Sequence, residues 1–243
     1  MKTVVIAGSG CNTIGWGPVE TAIRNSFPNP SLAPNLKPTY IFSLLNVQLR
    51  YLKKMSEVPG TAEYYQDVAN ICNEKLELRR KIINNIAKEI EDAQKNATLR
   101  TVSNPEVDKL LLANENVWFT LNWDTLLDHK LNKPVAHLHG QINNPATLLL
   151  PTEIVTIDNW LFQNAYSLLM TTHSLFIEIM KVTQRIIIWG CSLDDYDAEI
   201  QTLAAEATRV GRLKEVILID IKPEIKDKAE FLFKVPVQFI NPT

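Results

Sequence analysis

Five short stretches of this 243-residue chain put residues able to do chemistry where a strand would end. In Gly8-Ser9-Gly10-Cys11-Asn12, followed by Gly15-Trp16-Gly17, two glycines one residue apart let backbone N–H groups approach a pyrophosphate. Thr13 stands where a dinucleotide fingerprint has its third glycine, so a plain tight turn remains open. Thr120-Leu121-Asn122-Trp123-Asp124 sets a carboxamide and a carboxylate at a strand-to-helix corner, where either could instead cap the next helix. His137-Leu138-His139-Gly140 carries two imidazoles that point the same way if extended, and Gly140 suggests a turn presenting His139; such a pair is more often core or surface than ligand. Gly190-Cys191-Ser192-Leu193 is a second small-residue loop, and Asp194, Asp195 and Asp197 after it suit a helix N-terminus. Asp220 ends a further apolar run, where an acidic side chain can accept both ribose hydroxyls of an adenosine, or simply stand in a turn before Pro223. Each stretch alone is weak; their combination points to a nucleotide.

The elements that would position them alternate. Strands are expected at Lys2–Ala7, Asn116–Leu121, Pro134–Leu138, Arg185–Trp189, Glu215–Asp220 and Pro236–Ile240, several of them unbroken apolar runs of the kind buried on both faces. Helical patterns fall at Asp124–Leu131, about 158–182, Asp194–Arg209 and Pro223–Phe233. The rhythm predicts an α/β fold, a Rossmann-like doubly wound, mainly parallel sheet. Residues 39–97 interrupt it with amphipathic helices at Thr39–Lys54 and Thr61–Lys95, read as an inserted helical lobe of a single domain spanning 1–243. Phe27–Pro38, with four prolines, reads as a connector.

Composition narrows the class. The formal charge of −2 and a pI near 6.1 remove the electrostatic argument for nucleic acid or a membrane surface as partners. Apolar residues make up 46%, enough for a core, so global disorder is excluded. Cys11, Cys72 and Cys191 are scattered and odd in number, which argues against a disulfide scaffold or a zinc ribbon and suggests a reducing compartment. No export signal and no bilayer-length apolar run is found, so a cytoplasmic protein is expected.

The blocks resemble, in order, those of the sirtuin-like superfamily, NAD-consuming enzymes of the silent information regulator type. Gly8-Ser9-Gly10-Cys11-Asn12 looks like the opening Gly-Ala-Gly-x-Ser loop, Thr120-Leu121-Asn122-Trp123-Asp124 like the Thr-x-Asn-x-Asp block, His139-Gly140 like the catalytic His-Gly, and Gly190-Cys191-Ser192-Leu193 like the Gly-x-Ser-Leu loop. The resemblance implies that Asn122 holds the nicotinamide ribose and the attacking water, that Asp124 organises the nicotinamide pocket, and that His139 is the general base. Gly8, Gly10 and Gly190 would let N–H groups reach the phosphates, Ser9, Asn12, Thr120 and Ser192 would complete the NAD site, and Asp220 would hold the adenosine ribose.

Departures matter as well. Asn12 replaces the expected Ser, Thr13–Glu20 stands where deacylating sirtuins carry Asp-Phe-Arg, and no four-cysteine zinc module follows Gly140. The resemblance is therefore to the divergent, zinc-less branch, and it implies an NAD glycohydrolase, with NAD as substrate and no metal, often in bacterial antiphage defence. Alternatives are an NAD or ADP-ribose-derivative sensor, ADP-ribosyl transfer, or protein deacylation. A homo-oligomer or a partner protein on the helical lobe is expected.

Overall fold

Six strands and eight α-helices stand among the described residues of the computed structural model, 2–27, 37–151, 153, 165–194, 197–209 and 211–242. β1 (Thr3–Ala7), β2 (Val117–Thr120), β3 (Ala136–His137), β4 (Arg185–Trp189), β5 (Glu215–Ile219) and β6 (Val237–Ile240) form one sheet in the order β3-β2-β1-β4-β5-β6. Every adjacent pair is parallel, so the doubly wound, Rossmann-like α/β fold is present with an all-parallel sheet. Strand order reverses between β1 and β4. The register sets Ala7 beside both Thr120 and Trp189, Trp189 beside Ile219, and Thr120 beside His137, so five strands end on one level.

Alternation along the strands builds two cores. Val4, Ile6, Ile186, Ile188, Val216 and Leu218 face α6 (Tyr166–Met180), α7 (Ala198–Arg209) and α8 (Ile225–Phe233). Val5, Ala7, Ile187, Trp189, Ile217 and Ile219 face the other way, onto α4 (Pro105–Leu111) and α5 (Leu126–Leu131). Strands buried on both faces need apolar residues at every position, which is why they read as continuous runs.

Helix boundaries differ from expectation in ways that bear on function. Asp124 and Asp194 both precede their helices, which begin at Leu126 and Ala198. α1 (Gly17–Ser26) and α4 went unforeseen. Gly15-Trp16-Gly17 looked like loop, yet Pro18 suits a first helical turn and Val19, Ala22 and Ile23 are buried at helical spacing. α4 starts where Asn104 Oδ1 accepts the Glu106 and Val107 N–H groups. β3 is shorter than 134–138, since Pro134 has no N–H for the ladder. α6 matches the second part of the 158–182 pattern; 158–164, and 28–36 of the connector, lie outside the described residues.

Two long helices follow α1: α2 (Pro38–Ser56) and α3 (Ala62–Gln94), the latter capped by Thr61, whose side chain accepts the Tyr64 N–H at 3.2 Å. α1 and α2 pack on α3 through Ile23, Phe42, Leu45, Ile82, Ile86 and Ile90, in a third core that also takes in Trp123, Ile142, Leu148 and Leu150. No described helix is long and apolar enough to cross a membrane.

One buried ion pair ties α3 to the chain beyond His139. Arg79 Nε and Nη2 donate to Glu153 Oε1 and Oε2 at 2.6 and 2.7 Å, Arg79 Nη2 also donates to the Leu148 carbonyl at 3.1 Å, and the Leu150 N–H donates to Glu153 Oε2 at 2.8 Å. Removing one member leaves an uncompensated buried charge, which costs about 3–5 kcal/mol, whereas apolar replacement of both is often neutral. Arg79→Met should accordingly lose about 3 kcal/mol or more in urea unfolding, and Arg79→Met with Glu153→Met should recover most of it. A single-variant loss below about 1 kcal/mol would show the pair to be dispensable.

Candidate active site

The aligned strand ends put all five blocks along one edge of the sheet, at the reversal between β1 and β4 where doubly wound folds bind ligands. The loops after β1 and β4 meet backbone to backbone. Gly190 has φ +64°, and a Cβ on it would stand 2.2 Å from the Cys11 nitrogen, so only glycine fits. The Gly8, Gly10 and Gly190 N–H groups donate to the carbonyls of Trp189, Gly190 and Ile219 at 2.9, 2.8 and 2.9 Å. These glycines therefore act by letting the loops approach, and their own N–H groups are committed to stitching strand ends together.

Two adjoining chambers open there, of about 480 and 620 Å³, within the range of roughly 300–1,000 Å³ for small-molecule sites. Ser9, Trp16, Gly190, Ser192 and Asp194 line both, which makes them one cleft across the strand reversal. The first chamber holds Gly8, Asn12, Asn122, Asp124 and His139; the second holds Gly10 and Asp220. Of the residues to which the sequence resemblance assigns an NAD-site role, Thr120 alone lines neither. It is fully buried, its Oγ1 donating to the Ala7 carbonyl and accepting the Asn122 N–H, both at 3.0 Å, so it straps Asn122 to β1.

Asn122 is held from several sides. Its Nδ2 donates to the Gly8 carbonyl at 3.2 Å, and its own carbonyl meets His137 Nδ1 at 2.9 Å. His137 Nε2 stands 3.0 Å from Asp128 Oδ2 on α5. The two histidines thus part company: β3 ends at His137, which braces the Asn122 corner, and only His139 lines the cleft. Gly140 closes the turn after His137 that carries His139, with its N–H on the His137 carbonyl at 3.4 Å, φ +75° and no room for a Cβ against the Thr147 carbonyl.

Asp124 both holds the first N–H of α5 and lines the first chamber. Oδ1 accepts the Leu126 N–H at 3.1 Å, and Oδ2 accepts Asn12 Nδ2 at 2.8 Å. Asn12 Oδ1 in turn accepts the Ile14 N–H at 3.0 Å. Asn12, in place of serine, therefore clamps the carboxylate across 112 residues of sequence. Burial raises the Asp124 carboxyl above its usual range, while the Leu126 and Asn12 hydrogen bonds pull it back.

Burial dominates the other titratable groups. It drives the His139 imidazole down to about 3, with the neighbouring His173 ring acting the same way. His173, on α6, meets the Leu138 carbonyl through Nε2 at 2.9 Å and is itself lowered by burial. Asp197, in the first chamber, is raised to about 7, chiefly by burial and then by the charges of Asp194 and Glu199. Cys11 is pushed up to about 12 by burial, followed by the Asp124 charge, so its thiol is no nucleophile near neutral pH. Sequence reasoning missed Asp197, read as a helix-dipole residue, and Trp123, whose buried Nε1 has no hydrogen-bond partner among the described residues. A donor-only indole N–H lining a cavity was the available signal. It also missed Arg100, which lines the second chamber and donates through Nε to the Asn12 carbonyl at 3.1 Å.

Neither a known protein family nor a curated protein matches this chain. The fold and the cleft define a class: a Rossmann-like α/β protein with a two-chambered, small-molecule-sized site at its strand-order reversal.

The Asp197 shift has a stability consequence. Its carboxyl is raised from 3.8 to about 7, so between those values the native state binds more protons than the unfolded chain. The stability it contributes is present below pH ~4 and lost as pH rises through about 7. Asp197→Asn should therefore be more stable than the parent at pH 8 by about 1 kcal/mol or more, and the gap should narrow below pH ~7 and close toward pH ~4. A variant of equal or lower stability at pH 8 in thermal unfolding would refute this.

Proposed function

We propose that the protein is an NAD glycohydrolase, cleaving NAD to nicotinamide and ADP-ribose. The observation that carries the reading is the convergence of Asn122, Asp124 and His139 in one chamber with Asp220 in the next, in the order a dinucleotide would span. Charge along the cleft supports it. Among the described residues the first chamber carries the carboxyl groups of Glu20, Asp124, Asp194 and Asp197 against the ammonium of Lys37, which suits a cationic nicotinamide ring. The second brings Arg100 and Lys222 beside Asp220, which suits a pyrophosphate leading to a ribose.

In this reaction the bond from ribose C1′ to the nicotinamide nitrogen breaks, its electron pair leaving with the ring. Water oxygen bonds to C1′, and one water proton is released. The chain's tasks are to hold the ribose, place the water and take the proton. Asn122 is fixed by Thr120, Gly8 and His137, as a group that positions a small nucleophile must be. Asp124, locked by Asn12, offers a negative charge where cationic character develops on the ribose. His139 offers the proton acceptor.

The resemblance to the divergent sirtuin-like branch is the sole support for a role in antiphage defence. An oligomer or a partner on α2 is supported by the exposed Tyr40, Leu44, Val47 and Tyr51, which form one stripe at helical spacing. A second reading, an NAD sensor without turnover, is favoured by the depressed His139 imidazole, a weak base as it stands.

Purified protein incubated with NAD should release nicotinamide. His139→Ala should slow release by about 10²-fold or more, the usual contribution of a general base, and Asn122→Ala should slow it comparably. Asp220→Ala should raise KM more than it lowers kcat. If the parent binds NAD but releases nothing, the hydrolase reading fails and the sensor stands.

A further inference from the structure

Nε2 of His139 is buried and has no hydrogen-bond partner among the described residues, and Oδ1 of Asp197 stands 3.9 Å away, just out of reach. The His139 side chain is 6% exposed, so bulk water is not a ready substitute partner. Asp194, three residues earlier, is engaged by Lys228 Nζ at 2.7 Å, whereas the basic group that faces Asp197 is the His139 ring. The backbone N–H of Asp197 is already engaged. The Asp197 N–H and Gln201 Nε2 both donate to the Asp194 carbonyl at 3.0 Å, which leaves side-chain rotation as the movement that could close the gap.

We propose that Asp197 is the positioning residue of His139: its carboxylate accepts the Nε2–H, fixes that tautomer, and leaves the Nδ1 lone pair to take the proton. The inference rests on the glycohydrolase reading of the same site. Closing from 3.9 Å to the roughly 2.7–3.2 Å of an N–H···O bond is a small adjustment, and hydrogen bonds of this kind are often long before substrate binds. A carboxylate that orients an imidazole and stabilises its protonated form is a recurrent solution on unrelated folds. The proton leaving water would go to Nδ1, the imidazolium would lie against the Asp197 carboxylate, and solvent would take the proton after the products depart.

The pair is surrounded by His173 from α6, Asp194 and Glu199 flanking Asp197, and Cys191 from the loop after β4. Burial, and after it the charges of Asp194 and Glu199, favour the protonated Asp197 carboxyl, which holds its proton up to about pH 7. A protonated carboxyl keeps only a neutral carbonyl acceptor and has no charge to hold against an imidazolium, so the charge-assisted pair is formed only as pH rises through that region.

The test uses the full chain and NAD, with nicotinamide release followed from about pH 5.5 to 9. In the parent, kcat should rise through an ionisation near neutrality. Asp197→Asn, which the site's electrostatics lead us to expect will fold well, should lose on the order of 10²-fold in kcat with KM moved less than about threefold, and should lose that limb. Asp197→Glu should restore part of the rate with the limb displaced. An Asp197→Asn enzyme within threefold of the parent, or with the same pH limb, overturns the proposal. Should the parent release no nicotinamide, the glycohydrolase reading fails, and ¹⁵N NMR of the His139 ring with NAD present decides the pairing by itself. An Nε2–H tautomer that is lost in Asp197→Asn upholds it, and an Nδ1–H tautomer in the parent overturns it.

Discussion

The contact between two loops sets the terms for everything else in this cleft. Gly8 and Gly10 lie so close to Gly190 that added Cβ atoms would fall 2.7–2.9 Å from it, and a Cβ on Gly190 would fall 2.2 Å from Cys11. That approach is possible because β1 and β4 are adjacent, parallel and in a register that ends them together at Ala7 and Trp189. Once they are, the first turns after both strands share a level, and Asn122, His139 and Asp220 reach the same edge from strands on either side. A side chain at the contact would separate the loops and, with them, the two chambers.

Burial then decides the chemistry available. The first chamber gathers carboxyl groups and an imidazole in a place where charged forms are poorly solvated, so Asp124 and Asp197 shift upward and His139 downward. Such opposed shifts on neighbouring groups are what separates a proton acceptor from a proton holder within one site. Among the described residues the cleft is also short of internal partners: His139 Nε2 and Trp123 Nε1 are buried without one. A site that stabilises the fold would have satisfied them. Trp123 Nε1, unmet in the chamber that holds His139, is a donor that a ligand with a matching acceptor would complete.

How much of this could be read from residues alone follows from the range of the interaction involved. The strands were legible because double burial writes an unbroken apolar run, and the strand-end blocks because glycine and short polar residues follow those runs directly. α1 was hidden by Gly15 and Gly17, whose usual meaning is loop, although its buried positions are helical. The Asn12–Asp124 clamp joins residues 112 apart, and the Asp197–His139 approach joins 58 positions across the sheet; no local pattern announces either. Gly10 illustrates the opposite limit. Its place in a phosphate-type loop was plain, while the commitment of its N–H to Gly190 is a property of sheet register.

The helical lobe is coupled to the chemistry by contact. α3 holds Glu153 through Arg79; Glu153 takes the Leu150 N–H; the adjoining Leu149 N–H donates to the His139 carbonyl at 2.9 Å. Leu148 and Leu150 are buried in the core that α1, α2 and α3 share, while Leu149 between them is buried in the core under α6 and α7. Residues 148–150 therefore belong to both halves at once, alternating between them as an extended segment must. Because interiors are packed to near crystal density, α3 cannot shift relative to the sheet without disturbing the segment on which His139 hangs.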